Sequence, residues 1–169
     1  REDADAADAV KQALESDGVE VRLGHKATRF AVENGEKVLY ADSNEGEQRL
    51  VFDQVLLALG RRARREGLGL EELGIETNAL GALDTNEYLQ TRYPNIYACG
   101  DAAGPYQFTH AAAHQAWHAA VNALFGRFKK FKVDYRVMPW TTFTEPEVAR
   151  VGISEREAEE QELNFEVTR

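Results

Sequence analysis

A single cysteine, Cys99, occurs in 169 residues. No disulfide can therefore close within the chain, and a Cys-rich metal site is excluded. No run approaches the ~20 apolar residues a membrane span needs. The amino terminus, REDADAADAV, lacks the apolar core of an export signal, so a cytoplasmic location is the expectation. Basic residues are the minority, 20 Lys+Arg against 29 Asp+Glu, for a formal net charge of −9. An acidic chain without a basic stripe is poorly suited to a phosphate backbone, so no nucleic-acid partner is expected. A G-x-G-x-x-G string is also missing; Gly67, Gly69 and Gly74 are the nearest glycines, and their spacing is wrong.

What is present reads as globular, since 43% hydrophobic content is too high for a disordered chain. The length fits one domain or pieces of two. The chain opens on Arg1 rather than methionine, with an amphipathic pattern at once, as if entered in mid-domain. Ala6, Val10, Ala13 and Leu14 fall at helical spacing, and Gly18 offers a stop. Val19–Leu23 reads as a strand. Lys26–Val32, Lys37–Ala41 and Arg49–Val51 read as an antiparallel meander, with turns at Asn34-Gly35 and Asn44-Glu45-Gly46. Val55–Leu59 (VLLAL) and Asn95–Cys99 (NIYAC) are apolar runs of the kind expected of strands buried on both faces of a layered sheet. Residues 67–83 read as loop. The helix pattern is strongest at Thr109–Phe125, with Thr109 as N-cap, Gly126 as stop, and Trp117 and Phe125 in its core face. Toward the end, Ser154 and Glu157 have capping-box spacing, and a further strand opens at NFEV.

The local pattern richest in chemistry is NIYACGDAAG. A buried strand that delivers Gly100-Asp101 into a loop puts a carboxylate where open α/β sheets bind ligands. Gly100 permits close backbone approach, and Asp101 accepts from a hydroxyl or amide. A plain Gly-Asp turn is the alternative. Eight residues after Asp101 the long helix begins, and its unpaired N–H groups favour a group that gains negative charge.

DQVLLALGRR, TRYPNIYACGD from Thr91, FTHAAAHQAWHAA and FTEPEVARVGISEREAE together resemble, in order, the later half of the pyridine nucleotide-disulfide oxidoreductases. The likeness covers nearly the whole chain. It implies an α/β flavoprotein with two dinucleotide-binding domains. Residues 1–59 would be the later part of the NAD(P) domain, carrying the meander. Residues 60–132 would be the returning part of the FAD domain, and residues 133–169 the start of an α+β dimerisation domain. By the same resemblance Asp101, presented by Gly100, matches the aspartate on the FAD ribityl chain. Gln107, Phe108, Thr109 and His110 match the segment along the flavin, while Gly60 and Ala27 match positions near the nicotinamide of NAD(P). The implied parent is a homodimer that passes hydride from NAD(P)H through FAD to a disulfide or a bound small-molecule substrate.

The family pattern is broken at two places: Ala63 and Arg64 follow Arg62 where proline is usual, and Ala116 replaces a glycine. Cys99 is alone and within an apolar run, so it reads as a small buried hydrophobe. The redox cysteine pair and the C-terminal His-Glu pair would lie outside residues 1–169, and no catalytic residue is assigned. A non-catalytic dimerisation or binding module of the same fold is the rival reading. His110, His114 and His118, four apart on one helix, raise a metal-binding alternative. They span about 12 Å at 1.5 Å per residue, too far for one ion, and no metal ligand is assigned. The Arg61–Arg65 cluster invites a phosphate reading, against which stands a solvated loop with surface ion pairs, the expectation favoured here.

Overall fold

The computed structural model describes residues 2–168. Its contacts divide the chain into two compact units. One runs to Leu59 and takes in Phe143–Val148; the other holds Gly60–Thr142 and the residues from Ala149 on.

The first unit begins with helix α1 (Ala4–Ser16), which stops where Gly18 predicts. Gly18 adopts φ +87°, and the amides of Gly18 and Val19 return to the carbonyls of Glu15 and Leu14 at 3.0 and 2.9 Å. That Schellman closure commits Val19 to ending the helix. The expected strand at Val19–Leu23 does not form: the segment is irregular, with Val19 and Leu23 exposed and no described strand beside it. Strands β1 (Lys26–Glu33), β2 (Glu36–Ser43) and β3 (Gly46–Phe52) form the antiparallel meander in the order β1-β2-β3. Asn34 and Gly35 both take positive φ, 51° and 85°, as a tight two-residue hairpin requires. The register aligns Ala31, Val38 and Val51 across the sheet, with Val38 fully buried. Arg49 ties the hairpin shut, its guanidinium reaching Glu33 at 3.1 Å and Glu36 at 2.9 Å. Tyr40 donates to Glu33 at 2.6 Å, and this bond, with Arg49, holds the Glu33 carboxyl below its ordinary range.

Val55–Leu59 is not a strand either. It is irregular, and Leu56 and Leu59 are 89% and 86% exposed. A parallel strand buried on both faces exists only between neighbours, and none among the described residues pairs with it.

The second unit is largely coil around α2 (Thr109–Phe125), with a short 3₁₀ turn at Gly100–Ala102. Its core joins Ile75, Leu83, Leu89, Ala98, Ala103 and Ala119. Expected strand Asn95–Cys99 is reduced to one bridge, Gln90 with Tyr97, and Cys99 is exposed rather than buried. The segment folds back on Leu89–Thr91 instead, through Thr91 N–H to the Ile96 carbonyl and Ala98 N–H to the Leu89 carbonyl. Strands β4 (Pro139–Thr142) and β5 (Val148–Val151) pair in a small sheet. Helix α3 (Glu155–Glu160) starts with the full Ser154/Glu157 capping box, and Arg150 pairs with Glu157. No strand forms at the expected NFEV.

Coil leaves backbone polar groups without a ladder, so something else must satisfy them. Here side-chain amides do so. Asn122, 2% exposed on α2, accepts from the Phe131 amide at 2.8 Å and donates to the Phe131 carbonyl at 2.8 Å. It also reaches the Tyr88 carbonyl at 3.3 Å. Gln90 and Asn86 clip the neighbouring turn in the same way.

Replacing Asn122 with alanine strands the half-buried Phe131 amide and carbonyl, at about 1–3 kcal/mol for each unsatisfied group. The expected loss is about 3 kcal/mol, read as a lower urea midpoint at unchanged slope. A loss under about 0.5 kcal/mol would show that the amide does not hold the loop.

Candidate functional site

The site is built where the Gly100 turn meets the first two turns of α2. Gly100 is buried and sits at φ +69°, in the left-handed region that glycine adopts without strain. A Cβ placed there would stand 3.3 Å from the Ala112 Cβ, so the turn lies tight on the helix. Its left-handed bend releases Asp101, whose side chain is 41% exposed and has the Arg61 guanidinium 3.6 Å away. Gly60, at φ +102° and exposed, immediately precedes that arginine.

Gln107 leads into α2. The N-cap is Phe108 rather than the expected Thr109, which is the first helical residue. Phe108 has no side-chain oxygen to cap with, and no acidic residue occupies the first turn. The helix therefore begins with amides uncapped by any side chain and with its positive dipole end uncompensated, an arrangement that suits a partner bearing negative charge. The Phe108 ring stacks on His110, with centroids 5.4 Å apart, and on Trp140 at 6.2 Å. His110 Nε2 donates to the Pro139 carbonyl at 2.6 Å, which ties the first turn to β4. Six of the sequence-selected residues, Gly100, Asp101, Gln107, Phe108, Thr109 and His110, thus belong to one turn and one helix start. Gly60 is in the same unit, whereas Ala27 is an exposed residue of β1 in the other.

Sequence reasoning missed Gln115. Fully buried, it accepts from the Gly100 amide at 2.6 Å and donates to the Gly104 carbonyl at 2.7 Å. Its amide also donates to the Tyr135 hydroxyl at 2.7 Å. The spacing of Ala111, Gln115, His118, Ala119 and Asn122 marks one helical stripe and was the available signal. Trp117 and Phe125 lie off that stripe, so both are more than half exposed, against the expectation of core burial.

His114 and His118 contact each other, apart from the bond His110 makes to Pro139. His118 Nδ1 donates to the His114 carbonyl at 2.9 Å, their rings meet edge-on at 4.5 Å, and His114 Nε2 is buried without a hydrogen-bond partner. Among the described residues no group of three or more His, Cys, Asp or Glu could hold a metal ion. Arg61, Arg62 and Arg65 line an open depression of about 300 Å³ with Leu80 and Gly81. No helix among the described residues is long and apolar enough to cross a membrane.

The family model described as pyridine nucleotide-disulphide oxidoreductase matches residues 1–116. The chain belongs to that family. A mercuric reductase of Staphylococcus aureus is 36% identical over 159 residues, 94% of this chain and 29% of the relative. A dihydrolipoyl dehydrogenase of Bacillus subtilis is 39% identical over 157 residues, 93% of this chain and 33% of the relative. Among solved structures, the HOCl-induced flavoprotein disulfide reductase RclA from Escherichia coli superposes with a TM-score of 0.78 at 30% identity. It is matched over 95% of this chain and 36% of its own. LpdA from Mycobacterium tuberculosis gives 0.81 at 26% identity, over 95% of this chain and 34% of its own. The chain thus spans about a third of the length of the relatives it matches.

The family uses FAD and NAD(P)H, and the site features suit the first of these. Asp101 offers a half-exposed acceptor for hydroxyls, and the α2 start offers amides to an electron-rich ring edge. The neighbouring Asp134 is held at about 2 by hydrogen bonds from the Arg136 side chain and backbone.

Two outcomes are expected. Gly100→Ala forces a left-handed alanine against Ala112, with a stability loss of about 1–3 kcal/mol by denaturant titration; unchanged stability would contradict the tight turn. The Asp134 carboxyl is expected to titrate at about 2 when followed by NMR, below its ordinary ~3.9. The Asp134–Arg136 pair therefore contributes above that ordinary value and is lost as pH falls through about 2. In Arg136→Ala the titration moves back toward the ordinary value, and a midpoint unchanged by the substitution would contradict the pairing.

Proposed function

We propose that this chain supplies the Asp101 turn and the α2 start as the FAD-holding part of an NAD(P)H-dependent flavoprotein oxidoreductase. The observation that carries the reading is the joining of three features: a left-handed Gly100 turn, a half-exposed Asp101 carboxylate, and an uncapped helix start packed against that turn. The chemistry FAD supplies there is the relay of hydride from NAD(P)H to a disulfide or another bound acceptor.

Asp101 would accept hydroxyl hydrogen bonds from the ribityl chain of FAD. Gln107, Phe108, Thr109 and His110 would hold the flavin, and the uncapped first-turn amides of α2 would favour the negative charge that reduction places on it. Gly60 and Ala27 are assigned to the nicotinamide side. Family membership supports the matching division of the chain: residues 1–59 to the NAD(P) domain, 60–132 to the FAD domain and 133–169 to the opening of a dimerisation domain. The break at Leu59/Gly60 supports the first boundary. A cytoplasmic homodimer belongs to the same proposal.

Asp101→Ala removes an ionised acceptor, which is worth about 1.5–3 kcal/mol per hydrogen bond. Flavin affinity is expected to fall about 10- to 100-fold, measured by visible-absorbance titration of apoprotein. An unchanged dissociation constant would remove Asp101 from the cofactor site.

A further inference from the structure

We propose that Gln115 is the positioning residue for the flavin, setting the Gly100–Gly104 turn that presents Asp101. The inference rests on the FAD reading above and names the residue on which that site's geometry depends.

A primary amide with no exposed surface must find partners for its carbonyl and for its N–H groups, or cost the fold several kcal/mol. Gln115 is 0% exposed, and its carboxamide meets the two ends of one turn: Oε1 receives the Gly100 amide at 2.6 Å, and Nε2 gives to the Gly104 carbonyl at 2.7 Å. Asp101 lies between those two anchors. The turn's own bonds, Ala103 and Gly104 amides to the Gly100 carbonyl at 3.0 and 3.1 Å, close the loop on itself but do not tie it to the helix. Gln115 provides that tie. Its remaining N–H bonds the Tyr135 hydroxyl at 2.7 Å, so the same amide also holds the segment that follows α2. An acceptor alone could hold Gly100 and a donor alone could hold Gly104; only a group with both functions holds the pair.

This bifunctionality gives the test. The flavin-binding protein that carries this chain is prepared as wild type, Gln115→Leu, Gln115→Glu and Tyr135→Phe, and flavin dissociation constants are measured from pH 4.5 to 8.5. Gln115→Leu is expected to weaken flavin binding about tenfold or more, through loss of both anchors. Tyr135→Phe, which leaves both anchors in place, is expected to stay within about threefold of wild type.

Gln115→Glu separates positioning from bulk stability. Its carboxylate still accepts from Gly100 but faces the Gly104 carbonyl oxygen to oxygen; its neutral carboxyl donates there. Flavin affinity in this variant is therefore expected to match wild type at low pH and to fall as pH rises through the introduced carboxyl's titration. Other titratable groups near the amide are Asp101 with Arg61 on the turn side, Tyr135 with Asp134 and Arg136 on the following segment, and His114 and His118 on α2. They are common to wild type, so the variant-minus-wild-type profile isolates the new carboxyl.

A Gln115→Leu protein that binds flavin within twofold of wild type would overturn the positioning role. So would a Gln115→Glu profile parallel to wild type, and that arm decides the matter if the leucine variant fails to fold. A wild-type protein that takes up no flavin would instead overturn the FAD reading on which the inference stands.

Discussion

The second unit depends on polar side chains buried along one face of α2. Coil segments cannot satisfy their own peptide groups as ladders do, and a buried unpaired group is costly. Gln115 and Asn122, both nearly or fully buried, meet this demand at two points. One pins the turn that carries Asp101; the other pins Phe131 and reaches Tyr88. The apolar cluster around Leu89 and Ala103 supplies burial energy, which is non-directional. The amides supply the direction. They decide which loop lies on which turn of the helix, and so where a carboxylate stands relative to a helix dipole.

That division of labour explains which features were legible in the sequence. Both long helices were, because their signals are local: apolar spacing ending at Gly18 in α1, and an Ala-rich run ending at Gly126 in α2. The meander was legible for the same reason, since Asn34-Gly35 carries its own turn geometry. The Ser154/Glu157 box was read correctly from spacing alone.

Features that depend on distant neighbours were not legible. Val55–Leu59 and Asn95–Cys99 have the composition of buried parallel strands, but composition does not provide the strands on either side. Without such neighbours, Leu56 and Leu59 are exposed, and Cys99 comes to the surface. The candidate site was legible in part. Gly100, Asp101 and the segment Gln107–His110 were picked out by a turn signal, a helix start and a family likeness, and the fold gathers them beside one another. Gln115 escaped because hydrophobic periodicity scores a glutamine as a gap in the stripe, when here it is the residue that fastens the stripe to the loop.

The central claim is that the Gly100–Gly104 turn and the start of α2 form the flavin-facing surface. Amide hydrogen exchange with and without FAD tests it most directly. The account predicts that cofactor slows exchange at the Asp101–Gly104 turn and the first-turn amides of α2, with little change in the exposed β2–β3 turn around Asn44. Protection confined to other segments, leaving the Asp101 turn and the α2 start unaltered by FAD, would contradict it.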